Sequence, residues 1–531
     1  MSSAAPPMTQ DRAAALPPVL GRLMRGTFFL ALRTPLQAVI ALVSVPLIQR
    51  YIGPTLNGAY AFAWGFGFFQ FLLEFGMSSA LQREVSHTWT RGDRAGVDRA
   101  INCGMNFYAA IALVQVAALL GVAYFVLPES QFRGRPAELE LARKLLWLQA
   151  MTAPFYGLSA VLSSVLQAAS RFDFFPRLEL LVVVLRFALL GLGYAAGIDF
   201  YLIVVAWTAL QIVLLLGPGL WVMVRELGYV PRFGRVGWAD FAPLLRVGGS
   251  MFLIQLSVVL ADKLDVLILG FALPDPGPAI TVYQNVSKPF LQIRQTAWML
   301  ASLVMPAVAT LAAARDDRGL ERIKYDGSRF LVGLLLPVSL LAAIYAGPFL
   351  NFWVGPWFEP YAPLLRLFLV ATLPLVLSIL SQMALGFGKV HPIALSALAG
   401  ALVNLPISWL LTRRIGVAGV IWGTVLTTLI SNGLVPGIYL FRLLKVDART
   451  FLARTLSAPV AGASALLIAS WTLSQMISAD PTPGPGWTRF LPFFAHLTVG
   501  GIAYSGGYIA TAMGRRDLAI VAARVRGRGN L

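Results

Sequence analysis

The sequence is poor in cysteine, histidine and charged residues, and these shortages remove several classes of function. Its 531 residues include one cysteine, Cys103, so no disulfide can form within the chain. The three histidines, His87, His391 and His496, lie far apart, and none stands beside the cysteine at metal-ligand spacing. The residues argue against a zinc site or a Cys–His nucleophile, so we expect a protein that is not an enzyme and holds no metal or cofactor.

The low charge content indicates a membrane protein. Charged residues make up 12% of the chain and hydrophobic residues 58%, with a mean hydropathy of +0.73. A soluble domain carries about 25% charged residues. The composition therefore predicts an all-α polytopic membrane protein.

Windows of about 20 apolar residues predict about fourteen transmembrane helices. They lie near 27–49, 59–81, 101–127, 142–168, 178–197, 200–224, 248–272, 281–312, 328–350, 364–386, 392–412, 416–440, 456–478 and 491–513. An even number places both termini on one side of the membrane. The connecting loops are short, which argues against a membrane glycosyltransferase or polymerase with an outer catalytic domain. His496, near the start of the last helix, is expected to be an interfacial polar residue.

The distribution of Lys and Arg fixes the predicted orientation. With cytosolic termini, the inner segments hold 28 of the 42 basic residues, the outer segments 8 and the spans 6. This bias follows the positive-inside rule. It also accounts for most of the net charge of +18 without a nucleic-acid partner.

A weak internal repeat predicts two parallel halves. Tyr60 lies 31 residues before the cluster Arg91-Gly-Asp-Arg94, and Tyr283 lies 32 residues before Arg315-Asp-Asp-Arg318. A six-helix offset preserves orientation, as in transporters built from parallel repeats. The predicted segments are a flexible cytosolic tail (1–24), an N-terminal six-helix bundle (25–224), a cytosolic linker (225–247), a C-terminal six-helix bundle (248–442), two accessory transmembrane helices (455–513) and a basic cytosolic tail (514–531).

Ionisable residues within the spans mark the candidate site, because a charge at membrane depth costs about 2.5–3.5 kcal/mol on insertion scales. The bases are Arg33, Arg186, Lys263, Lys288, Arg294 and Arg366, and the acids are Glu74, Asp262 and Asp265. Equal depth suggests three buried ion pairs: Arg33 with Glu74, Asp265 with Lys288, and Asp262 with Arg294. The residues leave open whether the bases only form these pairs or also bind substrate.

The bases outnumber the acids by three, which predicts a water-filled cavity for an anion. One helix supports this interpretation with a polar stripe on a single face. The stripe consists of Gln284, Lys288, Gln292 and Gln295. We therefore expect an anion-binding cavity that contains these four residues together with Arg33, Arg186, Lys263 and Arg294.

Several segments resemble bacterial polysaccharide exporters. They are VPLIQRYIGPTLNGAYAF (45–62), EFGMSSALQREVS (74–86), DKLDVLILG (262–270), VYQNVSKP (282–289), MPAVATLAAARDD (305–317), FWVGPWFEPYAPLLRLF (352–368) and ALGFGKVHP (384–392). The sequence is similar over about residues 25–440 to the polysaccharide-transporter branch, or Wzx-type flippases, of the MATE-like multidrug/oligosaccharidyl-lipid/polysaccharide exporter superfamily.

The resemblance implies two six-helix bundles that rock around a central cavity. It implies transfer of an undecaprenyl-pyrophosphate-linked oligosaccharide from the cytosolic to the periplasmic leaflet of the bacterial inner membrane. Membrane lipids, a polysaccharide polymerase and glycosyltransferases are the implied partners. A basic cavity suits a pyrophosphate headgroup, because Arg and Lys form charge-assisted hydrogen bonds with phosphate oxygens.

Two other transport functions stay open at this stage. A lipid-linked peptidoglycan-precursor flippase has the same helix count. A cation-coupled multidrug exporter is disfavoured, because members of that branch use an acid on the first helix, where this chain has Arg33. Coupling to a proton or sodium gradient through Glu74, Asp262 or Asp265 is a further expectation.

Overall fold

A computed structural model of the chain describes residues 11–67, 72–74, 76–130, 132, 134–171, 173–234, 236–389, 391–481 and 486–525. Within these ranges the chain is almost wholly helical and contains no strand. Some side chains inside these ranges, among them those of Arg33 and Asp262, lie outside the described residues.

Among the described residues, seven helices begin before residue 273. They are α1 (Asp11–Gly65), α2 (Met77–Thr90), α3 (Arg94–Gly121), α4 (Pro136–Ala168), α5 (Phe174–Ala195), α6 (Phe200–Trp221) and α7 (Trp238–Ala272). Gly53 interrupts α1 with a positive φ of 73°. Glycine adopts that conformation without steric cost, so α1 consists of two helices that meet at a kink, and it covers the predicted segment 27–49 and the start of 59–81.

Fourteen further helices follow. They are α8 (Pro276–Ser302), α9 (Val304–Ala313), α10 (Asp317–Arg322), α11 (Ser328–Ile344), α12 (Ala346–Val354), α13 (Ala362–Val370), α14 (Ser378–Gly386), α15 (His391–Ile415), α16 (Val417–Thr428), α17 (Val435–Leu443), α18 (Ala448–Phe451), α19 (Ser457–Met476), α20 (Leu491–Ala510) and α21 (Ala512–Val525). Short π- and 3₁₀-helical segments are Val122–Val126, Leu127–Glu129, Val222–Glu226, Ile323–Gly327, Pro356–Tyr361, Leu373–Leu377, Leu429–Leu434, Leu452–Leu456 and Gly486–Phe490.

The all-α polytopic prediction is confirmed. In the described part of the chain, 11 helical stretches are long and apolar enough to cross a membrane. Three predicted spans are absent from that set, namely 59–81, 248–272 and 491–513. The count of fourteen is therefore not confirmed, although α7 and α20 cover the second and third of these segments.

The chain forms two compact units, Met1–Val259 and Leu260–Leu531. In the first unit α4 packs against α1, α2, α3 and α6. In the second unit α8 packs against α11, α13, α14 and α16, while α19 and α20 pack against each other and against α11. The finer segment limits given above stay predictions.

One local structure occurs at equivalent places in both units. Asp93 and Asp316 each cap the N-terminus of a helix by accepting a hydrogen bond of 2.9 Å from the backbone N–H of the glycine three residues later. The offset between these two aspartates, 223 residues, also separates Tyr60 from Tyr283. The shared turn supports the internal repeat inferred from the sequence.

The C-terminal helix α21 is held by a buried ion-pair network, which we call the Arg329 clamp. Arg329 on α11 has 0% exposure and binds Asp517 on α21 through two hydrogen bonds of 2.8 and 2.6 Å. It also contacts Asp326 at 3.0 Å and the backbone carbonyl of Arg454 at 2.9 Å. The hydroxyl of Tyr508 donates to Asp517 at 2.7 Å. The described part of the predicted basic tail is thus a helix fixed to the second unit.

His496 is not interfacial, contrary to the expectation from sequence, because it is 1% exposed. Its ring nitrogens lie 2.9 Å from the hydroxyl of Tyr345 and 2.9 Å from the backbone carbonyl of Ile477. In the neutral ring, Nε2 donates to the carbonyl and Nδ1 accepts from the tyrosine. Both ring nitrogens of His496 therefore form hydrogen bonds inside the protein. A hydropathy profile does not predict such contacts.

The Arg329 clamp predicts a large stability effect. Asp517→Asn removes the more buried of the two carboxylates that contact a fully buried guanidinium, and breaking a buried pair costs up to about 3–5 kcal/mol. We expect a clear decrease in Tm when the purified protein is unfolded in detergent. The control is Asp98→Asn, because Asp98 is an exposed residue. Equal Tm values for the two variants would contradict the structural role of the clamp.

Candidate functional site

The polar stripe lies on the less buried face of α8. The opposite face packs into the second unit through Tyr283, Val286, Phe290, Ile293 and Ala297, all of which are buried. Gln284, Lys288 and Gln292 are half-buried and Gln295 is exposed. Trp298, which is 67% exposed, continues this face. The second unit therefore leaves a continuous polar face of α8 uncovered.

The side chains of the stripe form no hydrogen bond or ion pair with the residues that the structure describes. Amide and ammonium groups without partners cost several kcal/mol in hydrocarbon. This face of α8 is therefore suited to water or a polar ligand rather than to lipid chains. The predicted pair between Asp265 and Lys288 is wrong, because the described contacts of Lys288 include no carboxylate.

Arg186 on α5 lies against aromatic rings in the first unit. Its guanidinium is 4.8 Å from the ring centroid of Trp207, a buried residue of α6. Its charge also acts on the hydroxyls of Tyr60 and Tyr156. Among the described residues, no carboxylate pairs with Arg186. The cation is stabilised by a π face and keeps its N–H donors for another ligand.

The remaining predicted bases have different surroundings. Lys263 is exposed on α7, and the guanidinium of half-buried Arg294 lies 5.5 Å from the ring centroid of Phe290. The side chains of Arg33 and Asp262 lie outside the described residues, so the pairs predicted for them stay predictions. The structure thus gives surroundings for four of the five bases in the predicted anion site.

Glu74 lies just before α2 and lines a small cavity inside the first unit. The cavity volume is about 90 Å³, and Tyr108, Gln115, Tyr156 and Gly157 contribute to its wall. The hydroxyl of Tyr108 donates to Oε1 of Glu74 at 3.0 Å. A half-buried carboxylate in a polar cavity can take up a proton or bind a small cation.

Asp265 on α7 is the centre of a buried polar network in the second unit. Its exposure is 0%, and the hydroxyls of Tyr283 and Thr424 each donate to Oδ2 at 2.7 Å. The amide of Asn404 approaches Oδ1 at 3.5 Å, and Ser408 donates to Oδ1 of Asn404 at 2.8 Å. These donors come from α8, α15 and α16. Two hydroxyls and an amide on three helices thus converge on this carboxylate.

Sequence reasoning missed the neutral partners of the charged residues. Asn404 and Ser408 are spaced at i and i+4 on the apolar helix α15, and that spacing was a usable signal of a polar contact. The contact of Trp207 with Arg186 had no such signal. No group of three or more His, Cys, Asp or Glu residues that suits a metal ion occurs in the part of the chain that was described.

The fold belongs to the class of multi-pass membrane transporters. A solved structure of the lipid II flippase MurJ, in an inward closed conformation, has a TM-score of 0.70 and 16% identity, covering 93% of this chain and 100% of that chain. An inward-facing MATE-family multidrug resistance transporter has a TM-score of 0.59 and 17% identity, covering 78% of this chain and 96% of that one. Identities this low establish the shared fold alone.

The family follows from the sequence comparison. A family model described as "Polysaccharide biosynthesis protein" matches residues 23–311, and the chain belongs to this family. A relative in Bacillus subtilis (strain 168), the uncharacterized membrane protein EpsK, is 24% identical over 429 residues, or 76% of this chain and 78% of the relative. The family model thereby confirms the resemblance to a polysaccharide family, and the solved structures confirm a fold shared with MATE-family proteins.

The stripe is testable by cysteine accessibility, because the native Cys103 is buried and replaceable by alanine. A cysteine thiolate, which needs water to form, attacks a charged methanethiosulfonate reagent, forms a mixed disulfide and releases methanesulfinate. We expect Gln292→Cys to react rapidly in membranes. Ile293→Cys, buried one residue later, is expected to stay unmodified.

A second control variant distinguishes a side chain that faces water from one that faces lipid. Leu334 on α11 is an exposed apolar residue, so Leu334→Cys is expected to face lipid and resist the reagent. If Gln292→Cys and Leu334→Cys reacted equally slowly, the stripe would not face water.

Proposed function

We propose that the protein is a flippase for a polyprenyl-pyrophosphate-linked oligosaccharide, the repeat unit of a polysaccharide. In this proposal it moves the lipid-linked sugar from the cytosolic to the periplasmic leaflet of the bacterial cytoplasmic membrane, with both of its termini in the cytosol. The observation that carries the proposal is the uncovered stripe of α8, with Lys288 at its centre, in a chain of the polysaccharide biosynthesis family.

The chemistry of the uncovered groups matches the proposed headgroup. A pyrophosphate ester carries several negative oxygens, and an arginine such as Arg186 binds such oxygens through two parallel N–H donors. Lys288 supplies a point charge, and the glutamines on either side donate hydrogen bonds to phosphate or sugar oxygens. A cationic drug would instead be repelled by these bases.

The proposed cycle is alternating access, in which helical bundles rock around a basic cavity. Asp265 is the proposed coupling group, because a fully buried carboxylate is costly to keep charged and gains stability when it binds a proton or a sodium ion. Glu74 is the second candidate for this role. Polysaccharide polymerase and glycosyltransferases are the proposed functional partners.

A lipid-linked peptidoglycan-precursor flippase is the second candidate function, because the fold is shared with the lipid II flippase MurJ. The two functions differ in the effect of depletion. Loss of surface polysaccharide with continued growth supports the first function, and lysis with intact surface polysaccharide supports the second.

The proposed anion site predicts a loss of export. Lys288→Ala and Arg186→Gln each remove a base that has no acidic partner in the described residues, so folding should be little affected. We expect both variants to abolish surface polysaccharide while membrane levels and Tm stay near wild type. Immunoblotting of surface polysaccharide with matched protein levels measures the effect.

The matched control for this experiment is Arg366→Gln. Arg366 is exposed on α13 and donates to the backbone carbonyl of Ala343 at 3.0 Å, so its charge lies outside the proposed site. The control should export normally. Normal export by Lys288→Ala and Arg186→Gln would refute the proposed anion site.

Coupling is testable in proteoliposomes under an imposed sodium or proton gradient. We expect one of the two gradients to accelerate flipping in the wild type, and Asp265→Asn to remove that acceleration while a basal rate stays measurable. Glu74→Gln is the comparison variant. If Asp265→Asn kept the acceleration and Glu74→Gln lost it, the coupling role of Asp265 would be wrong.

A further inference from the structure

The C-terminal helix α21 has a composition that its role in the second unit does not explain. Residues 512–531 contain five arginines and a single acid, Asp517. The helix begins directly after α20, with Thr511 in an extended conformation between them. The chain thus places a basic segment at the end of an apolar helix.

The Arg329 clamp neutralises the negative charge of Asp517, the single acid of this segment. Asp517 is buried and gives both carboxylate oxygens to Arg329. Arg515 and Arg516 are exposed on the same helix. Arg516 has a weak contact of 3.8 Å with Asp326, a residue that already binds Arg329 at 3.0 Å. The exposed side of α21 therefore carries a net positive charge.

Apolar side chains stand beside these arginines. Leu518 is 50% exposed and Ile520 is 39% exposed. Leu452 and Arg454 are also exposed, and Arg329, which binds Asp517 of α21, donates to the backbone carbonyl of Arg454. The C-terminal patch is defined here as Leu452, Arg454, Arg515, Arg516, Leu518 and Ile520. It joins exposed cations to exposed aliphatic side chains.

This combination suits the surface of an anionic membrane. Aliphatic side chains enter the boundary between headgroups and acyl chains, while arginines bind lipid phosphates. If α20 crosses the membrane as the sequence predicts, α21 begins at the membrane surface, because Thr511 alone separates the two helices. We infer that the C-terminal patch binds anionic phospholipid headgroups where α20 meets the membrane surface, and that the Arg329 clamp holds α21 in the orientation that binding requires.

An acidic partner protein is the competing occupant. The exposed aliphatic residues favour lipid, because the patch directly follows the apolar helix α20. A partner protein would have to cover these aliphatic side chains as well as the arginines. The experiment below distinguishes the two occupants.

The test is a lipid titration of the full chain in detergent, followed by native mass spectrometry. Phosphatidylglycerol is the anionic probe and phosphatidylcholine the neutral one. We expect Arg515→Gln/Arg516→Gln to weaken phosphatidylglycerol binding by roughly fivefold per arginine, or about thirtyfold in total. Phosphatidylcholine binding should not change. These arginines lie outside the proposed anion site, so export in a strain with excess protein should persist.

The matched control is Arg413→Gln/Arg414→Gln, which removes an exposed arginine pair elsewhere in the second unit. It should keep wild-type affinity for phosphatidylglycerol. Equal losses in the two double variants would show that binding follows total charge, which overturns the inference. An unchanged affinity in Arg515→Gln/Arg516→Gln, or an acidic protein that co-purifies only while these arginines are present, also overturns it.

A fluorescent dye tests independently whether the C-terminal patch lies at the membrane surface. Leu518→Cys in a Cys103→Ala background is labelled with an environment-sensitive dye and placed in vesicles of phosphatidylcholine and phosphatidylglycerol. Quenching by nitroxide-labelled lipid is expected, and it should decrease when Arg515 and Arg516 are replaced by glutamine. A dye that lipid nitroxides do not quench would place the patch away from the membrane and refute the inference.

Discussion

The absence of hydrogen-bonding solvent in hydrocarbon is the constraint on which this structure depends. A polar group at membrane depth must find its partner within the protein or border a water-filled space. Asp265 meets the first condition through Tyr283, Thr424 and Asn404. The stripe of α8 does not meet it within the described residues, and it is the part of the second unit that most needs a polar environment.

Hydroxyl and amide donors orient the carboxylate of Asp265 but add no positive charge of their own. Lys288 forms no ion pair with a described carboxylate, so its ammonium group is available to an anion. The two groups that equal depth had paired are therefore held by different contacts.

The sequence predicted the helical, membrane-spanning class well, because apolar windows and the distribution of arginines report directly on the bilayer. It also placed Gln284, Lys288, Gln292 and Gln295 on one face, since helical periodicity is local. It did not predict the partners. The sequence gives the depth of a residue along its helix. Whether two residues at equal depth touch also depends on how each helix is rotated about its axis and on which helices are neighbours. Asn404 and Thr424 lie more than a hundred residues from Asp265, so no local pattern joins them to it.

The accessory helices are less separate than their position at the end of the chain suggests. The Arg329 clamp connects α11 to α21 through charge-assisted contacts that exclude water, and His496 connects α20 to the polar group of Tyr345. Breaking either contact would leave buried polar groups without partners, so these elements are expected to move together. These contacts join the last described helix to α11, so α21 is an integral part of the second unit.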